Sequence, residues 1–185
     1  GRAIELYRAA GSDRDLARAL TFAVRPLCLE LSNEEPARGA GGAAPGGRAE
    51  ACAAEAVAIL GRYPPGPELA RALSQQAWMA MMTGDRPRAA TLADRAFRLA
   101  DEVGEHWAAC HALNTQGLLR EGRADAMVLL EQARRRAEEH GHPDEELRAL
   151  GNKSDAAFEA LELGTAIDLA RRRLSWDAAG WPVVE

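Results

Sequence analysis

The sequence predicts an all-α protein, an α-solenoid of about four antiparallel helix pairs with a right-handed superhelix. Similar words recur along the chain, at 15–20 (DLARAL), 68–73 (ELARAL), 110–113 (CHAL) and 147–150 (LRAL). Apolar residues between them follow the 3.6-residue period of a helix, and no segment shows the two-residue alternation of a strand. Aromatic residues make up only 5% of the chain, so small aliphatic side chains must fill the core.

The helices are predicted in order from their apolar periodicity and their stop signals. An incomplete helix at 2–10 comes first. The pairs follow at 14–32 with 48–61, 67–82 with 86–103, 105–120 with 124–140, and 144–162 with 165–176. The Gly, Pro and Ala-rich segment 33–47 separates the two helices of the first pair and is predicted to be a flexible insertion. The whole chain, 1–185, is predicted to be one repeat domain.

The clearest helix pair occupies 67–103. Apolar residues in 85–103 recur every three or four positions, which places them on one helical face. Asp85 is the predicted N-cap of the second helix, with Pro87 in its first turn, and Gly104 is its predicted stop. These two helices are therefore joined by a very short turn.

The repeat period supports a solenoid of helix pairs. The last leucines of the four recurring words are Leu20, Leu73, Leu113 and Leu150, with steps of 53, 40 and 37 residues. Without about fifteen residues of the insertion, the first step is close to the other two. A period between about 20 and 50 residues that is built from helix pairs is typical of α-solenoids.

The second pair resembles a tetratricopeptide (TPR) repeat. In that family a small residue lies in the middle of the first helix, Gly-Asp forms the turn, and two small residues seven positions apart follow in the second helix. Ala77, Gly84-Asp85, Ala89 and Ala96 match those places. The other units match more weakly, through Ala51 and Ala58, Gly117 and Gly122, and Ser154 and Gly164, with Arg173 where a small residue is expected.

Longer phrases resemble the TPR-like region of large actinobacterial LuxR-type transcriptional regulators. They are PGPELARALSQQAWMAMMTGD, AFRLADEVGE and ACHALNTQGLL. In that family an ATPase precedes the repeats and a helix-turn-helix domain follows them. Neither a phosphate-binding loop nor a basic recognition helix occurs in these 185 residues, and the chain begins without Met inside a helical pattern. The resemblance therefore implies that the chain is a fragment of a longer regulator.

The TPR resemblance also implies which residues face the concave groove. The second, fifth and ninth places of each first helix form columns, of which the second holds Arg, Arg, His and Arg. Guanidinium groups bind carboxylate or phosphate through paired hydrogen bonds, and a tryptophan provides an apolar anchor. Alternatively, these arginines reflect only repeat duplication, although packing does not require them. The predicted groove residues are Arg18, Arg25, Arg71, Ser74, Trp78, His111, Asn114, Arg148 and Asp155.

The expected partner is a protein or peptide, or a small acidic effector. The net charge of −5 argues against direct contact with nucleic acid. The alternative function is a structural scaffold between an ATPase and a DNA-binding domain, with self-association through exposed end helices.

No catalytic motif, metal site or cofactor is predicted. The three cysteines lack CxxC spacing, and His106 with Cys110 supplies only two potential metal ligands. Acidic pairs such as Glu145 and Glu146 are predicted to lie on solvated helical surfaces. No signal peptide or membrane-spanning segment is visible, so the expected location is the cytoplasm and no membrane partner is predicted.

Overall fold

The computed structural model describes residues 2–33 and 45–178, which form nine α-helices and no strand. This confirms the predicted all-α class. Each helix lies within a few residues of its predicted position. The helices are α1 (Arg2–Ala10), α2 (Asp13–Asn33), α3 (Pro45–Leu60), α4 (Pro67–Met82), α5 (Arg86–Glu102), α6 (His106–Leu118), α7 (Arg123–Glu139), α8 (Pro143–Glu159) and α9 (Leu163–Ala178).

The helices after α1 pack as consecutive pairs. Each helix contacts the next one along the chain, and α4 also contacts α2 and α6, while α6 also contacts α8. We therefore call α2, α4, α6 and α8 the A helices, and α3, α5, α7 and α9 the B helices. This contact pattern is the one that stacked helix pairs require, whereas the right hand of the superhelix stays a prediction.

Small residues allow the paired helices to approach closely. Ala77, Ala89 and Ala96, the TPR-like positions of the second pair, have no exposed surface. In the third pair a Cβ atom added at Gly117 would lie 2.7 Å from the side chain of Leu130, so any larger residue would force Leu130 to shift. The pairs are thus held by close backbone approach, as helix-packing geometry demands.

The turns use backbone conformations that favour glycine. Gly84 has a φ of 87°, and the Asp85 carboxylate then caps α5 by accepting a hydrogen bond from the Arg88 amide at 3.2 Å. The prediction for the fourth pair was wrong, because Gly164 lies inside α9 and not in the turn. Leu161 holds the turn with a φ of 59°.

The predicted flexible insertion, 33–47, lies mostly outside the described residues. Its described ends are helical, since α2 reaches Asn33 and α3 already begins at Pro45.

Candidate ligand groove

Eight of the nine predicted groove residues share one connected surface, which we call the A face because only A helices and their first turns build it. The exception is Asp155. It is exposed and lines a separate cleft of about 300 Å³ together with residues of α6 and α7. Most of the remaining eight are linked from one A helix to the next by ion pairs, aromatic contacts or hydrogen bonds, and three of them, Ser74, His111 and Asn114, are buried.

Two of the column arginines pair with acidic residues at the start of the following A helix. Arg18 of α2 donates to Glu68 of α4 at 2.6 Å, and its hydrogen bond lowers the pKa of that carboxyl. Arg71 of α4 donates to Glu105 at 2.5 and 2.6 Å. Glu105 is also the N-cap of α6, because its second oxygen accepts from the Ala108 amide at 2.6 Å.

Aromatic rings continue this connection across the middle of the A face. The guanidinium of Arg71 lies 5.5 Å from the ring centre of Trp107, which stacks on His111 at 4.9 Å. The His111 ring meets Trp78 edge-on at 6.1 Å, and Arg148 lies 5.6 Å from the ring centre of Trp78. Each cation–π contact contributes about 0.5–2 kcal/mol, depending on how far it is desolvated. These contacts, which we call the ladder, thus join α4, α6 and α8.

His111 is neutral within this ladder. Its side chain is buried, and burial lowers its pKa well below the ordinary value, an effect that the charges of Arg148 and Arg25 reinforce. A hydrogen bond with the backbone of Ser74 raises the pKa of His111 and only partly offsets this shift. A neutral ring between two indoles serves packing, so His111 does not extend the arginine column as a cation.

A buried polar cluster lies beside the ladder. The Asn114 amide donates to the Glu145 carboxylate at 3.0 Å, and Asn152 donates to Asn114 at 3.2 Å. Arg148 lies 3.5 Å from the same carboxylate. Burial raises the pKa of Glu145, and the positive charge of Arg148 opposes this shift. The cluster fastens α6 to α8, so Asn114 and Arg148 have structural partners already.

One contact spans the A face from its first helix to its fourth. Arg25 of α2 lies 3.3 Å from Asp144 of α8, and the Trp107 indole donates to the same carboxylate at 3.0 Å. The contact between Arg25 and Asp144 therefore forms a bridge across the A face. A ligand could reach only the parts on either side of the bridge without displacing it.

The open part of the A face is a cleft of about 270 Å³, here called the rim cleft. Phe22 at its edge is 69% exposed, so its ring is available to a partner. The cleft contains two arginines and two glutamates, so its formal charge is balanced. Its lining residues are Arg18, Thr21, Phe22, Pro67, Glu68, Arg71 and Glu105.

The acidic partners were missed at the sequence level. Glu145 and Glu146 were predicted to be solvated, but this was wrong: they are 0% and 2% exposed. Arg18 and Arg71 were predicted only as groove residues, but each also forms an ion pair with the start of the next A helix. An acidic residue at the N-cap or in the first turn of each later A helix was the available signal.

Two histidine rings stack on one another, but they form no metal site in the described part of the chain. His106 and His140 stack at 3.4 Å between ring centres. Among residues 2–33 and 45–178, however, no group of three or more histidine, cysteine or acidic side chains is arranged to hold a metal ion. None of the helices in these ranges is both long enough and apolar enough to cross a membrane.

No family model matches this chain, and no curated protein is significantly similar to it.

Proposed function

We propose that the chain is a TPR-like, non-catalytic binding module that holds a segment of another protein on its A face. The observation that carries the proposal is the rim cleft, in which the exposed ring of Phe22 lies beside two arginine–glutamate pairs. Apolar anchors surrounded by polar groups are typical of protein interfaces. The cleft is at the small end of the range for ligand pockets, so it suits one or two side chains of a larger partner.

The charge balance of the cleft favours a peptide over a small acidic effector. Arg18 and Arg71 already donate to Glu68 and Glu105. A free carboxylate would have to displace these partners and would meet their negative charge. A peptide with an apolar side chain flanked by polar groups would keep both ion pairs and cover Phe22.

The wider role that fits this module is regulation of transcription within a cytoplasmic bacterial protein. The support is the resemblance of 65–85 and its neighbouring phrases to LuxR-type regulators. In such a protein the module would sense a partner and transmit its binding to the flanking domains, and DNA contact would belong to another domain. The net charge of −5 agrees with that division.

Selection of peptides from a random display library tests this function. Selected peptides should bind the wild-type chain, and Phe22→Ala should weaken that binding at least tenfold. Phe158→Ala is the matched control, since Phe158 is 63% exposed and lies on α8 outside the rim cleft. Both variants should unfold at the wild-type urea midpoint, because exposed substitutions change stability by about 0.5 kcal/mol or less.

The proposal fails if no peptide is selected, or if the two phenylalanine variants weaken binding equally. Either result would favour the alternative function, a scaffold that sets the spacing of flanking domains. A specific observation supports this alternative, namely that the column arginines hold adjacent A helices together.

A further inference from the structure

Two B helices, α5 and α7, make a similar set of polar contacts with the A helix that follows each of them or with the turn at its end. On α5, Arg86 donates to the Leu119 carbonyl at 3.0 Å, and Asp94 accepts from the Gln116 amide at 2.7 Å. On α7, Arg123 pairs with Glu162, and Glu131 pairs with Lys153 at 2.5 Å. In both helices, therefore, the first-turn arginine binds just beyond the end of the following A helix, and the acidic residue eight positions later binds that helix itself.

The last B helix carries different residues at these two positions. Buried alanines three places after the first-turn residue define the alignment, at Ala89 in α5, Ala126 in α7 and Ala166 in α9. By this alignment Leu163 replaces the arginine and Arg171 replaces the acidic residue. The face of α9 thus differs in charge and in polarity from the faces that the chain's own A helices cover.

This face of α9 is an apolar stripe. Leu163, Ile167, Ala170 and Leu174, here called the α9 stripe, lie within about 60° of one another on a helix that turns about 100° per residue. The three large side chains are 52%, 50% and 63% exposed. In the described part of the chain no helix follows α9 to cover them.

The α9 stripe is complementary to itself when two copies run in opposite directions. Its spacings of four, three and four residues read the same from both ends. Antiparallel packing therefore places Leu163 opposite Leu174 of the second copy, and Ile167 opposite its Ala170. The same register brings Arg171 beside Asp168 of the second copy; within one copy these exposed side chains are 3.7 Å apart.

We propose that the chain forms a symmetric dimer in which the α9 stripes of two copies pack antiparallel. We assign the stripe to a second copy because that copy supplies apolar side chains to Leu163 and a carboxylate to Arg171, twice per interface. Symmetric dimers reuse one patch in this way. The interface does not depend on the rim cleft.

Light scattering after size-exclusion chromatography tests the dimer. At about 50 µM, a concentration suited to an interface of only one helix pair, the wild-type mass should be twice 19.9 kDa. Ile167→Asp should give the single-chain mass with unchanged helical circular dichroism. Val128→Asp is the matched control, because Val128 is 56% exposed on α7 outside the stripe, and it should remain dimeric.

Cysteine cross-linking tests the direction of packing. Leu163→Cys mixed with Leu174→Cys should form an intermolecular disulfide, whereas neither variant alone should do so, and nor should the wild type with its native cysteines. A wild-type chain that is monomeric at this concentration would overturn the proposal. So would dissociation by Val128→Asp, a dimer that survives Ile167→Asp, or disulfide-linked dimers of Leu163→Cys alone.

Discussion

Glu105 shows how one side chain can serve both a helix end and the contact between repeats. It caps α6 through the Ala108 amide and holds Arg71 of the preceding A helix. Glu68 occupies the comparable place on α4 but is no N-cap, since that position belongs to Gly66. Two acidic residues at similar positions thus differ in what they stabilise.

Glu105→Ala should therefore destabilise the protein by about 2 kcal/mol, because it removes an N-cap and leaves a half-buried guanidinium without its carboxylate. Glu68→Ala should cost about 0.5–1 kcal/mol, since its partner Arg18 is half exposed and can be rehydrated. Urea unfolding at pH 7 measures both free energies. Equal costs for the two variants would show that the cap and the Arg71 pair contribute nothing extra.

At the scale of elements, the helix positions were predictable and the links between helices were not. The period of apolar residues, the Asp85 cap and the glycine turns are local signals, so α4 and α5 were placed almost to the residue. The ion pairs of Arg71 with Glu105 and of Arg25 with Asp144 join residues 34 and 119 positions apart. Such pairing depends on the stacking register, which no local pattern encodes.

The burial of Glu145 was likewise not predictable from the local sequence. Carboxylates are rarely buried without partners, so solvent exposure was the natural expectation. The partners that allow its burial, Asn114 and Arg148, are polar residues predicted for the groove. Part of the predicted site is therefore a structural cluster.

The close approach of α6 and α7 can be tested by substitution of Gly117. Gly117→Ala should destabilise the protein by about 1–3 kcal/mol, because the new methyl group would meet buried Leu130 at 2.7 Å and the strain exceeds the gain in helix propensity. Gly164→Ala in α9 is the matched control, since nothing lies within 4 Å of the added Cβ. It should stabilise the protein by up to about 1 kcal/mol.

Urea unfolding separates the two glycine variants by the sign of the change. If Gly117→Ala were as stable as the wild type or more so, the third pair would not pack as closely as described.

For the whole molecule, charge clusters between repeats make stability depend on pH. Burial would raise the pKa of Glu131, but hydrogen bonds from Arg134, Lys153 and Arg135 outweigh it and lower the pKa from 4.5 to about 2. Because the folded-state pKa lies below the unfolded value, the stabilisation is complete above pH 4.5 and is lost as the pH falls toward 2. This cluster ties α7 to α8.

Glu131→Gln should therefore destabilise the protein at pH 7 and flatten the fall in stability between pH 4.5 and 2. The measurement is the free energy of unfolding in urea across that pH range. Glu139→Gln is the control, as Glu139 is exposed on the same helix and forms no ion pair with the described residues. A wild-type slope that survives in Glu131→Gln would assign the acid sensitivity to other carboxylates.

For the whole molecule, we expect a partner segment to bind on the A face at the rim cleft. Photo-cross-linking of a library-selected peptide tests it most directly, with a photoreactive phenylalanine analogue placed at position 22 or, in a separate protein, at position 158. Both native phenylalanines are exposed, so both replacements are tolerated. The A-face site predicts efficient cross-linking from position 22 and none from position 158. Cross-linking from position 158 alone, or equally from both, would contradict it.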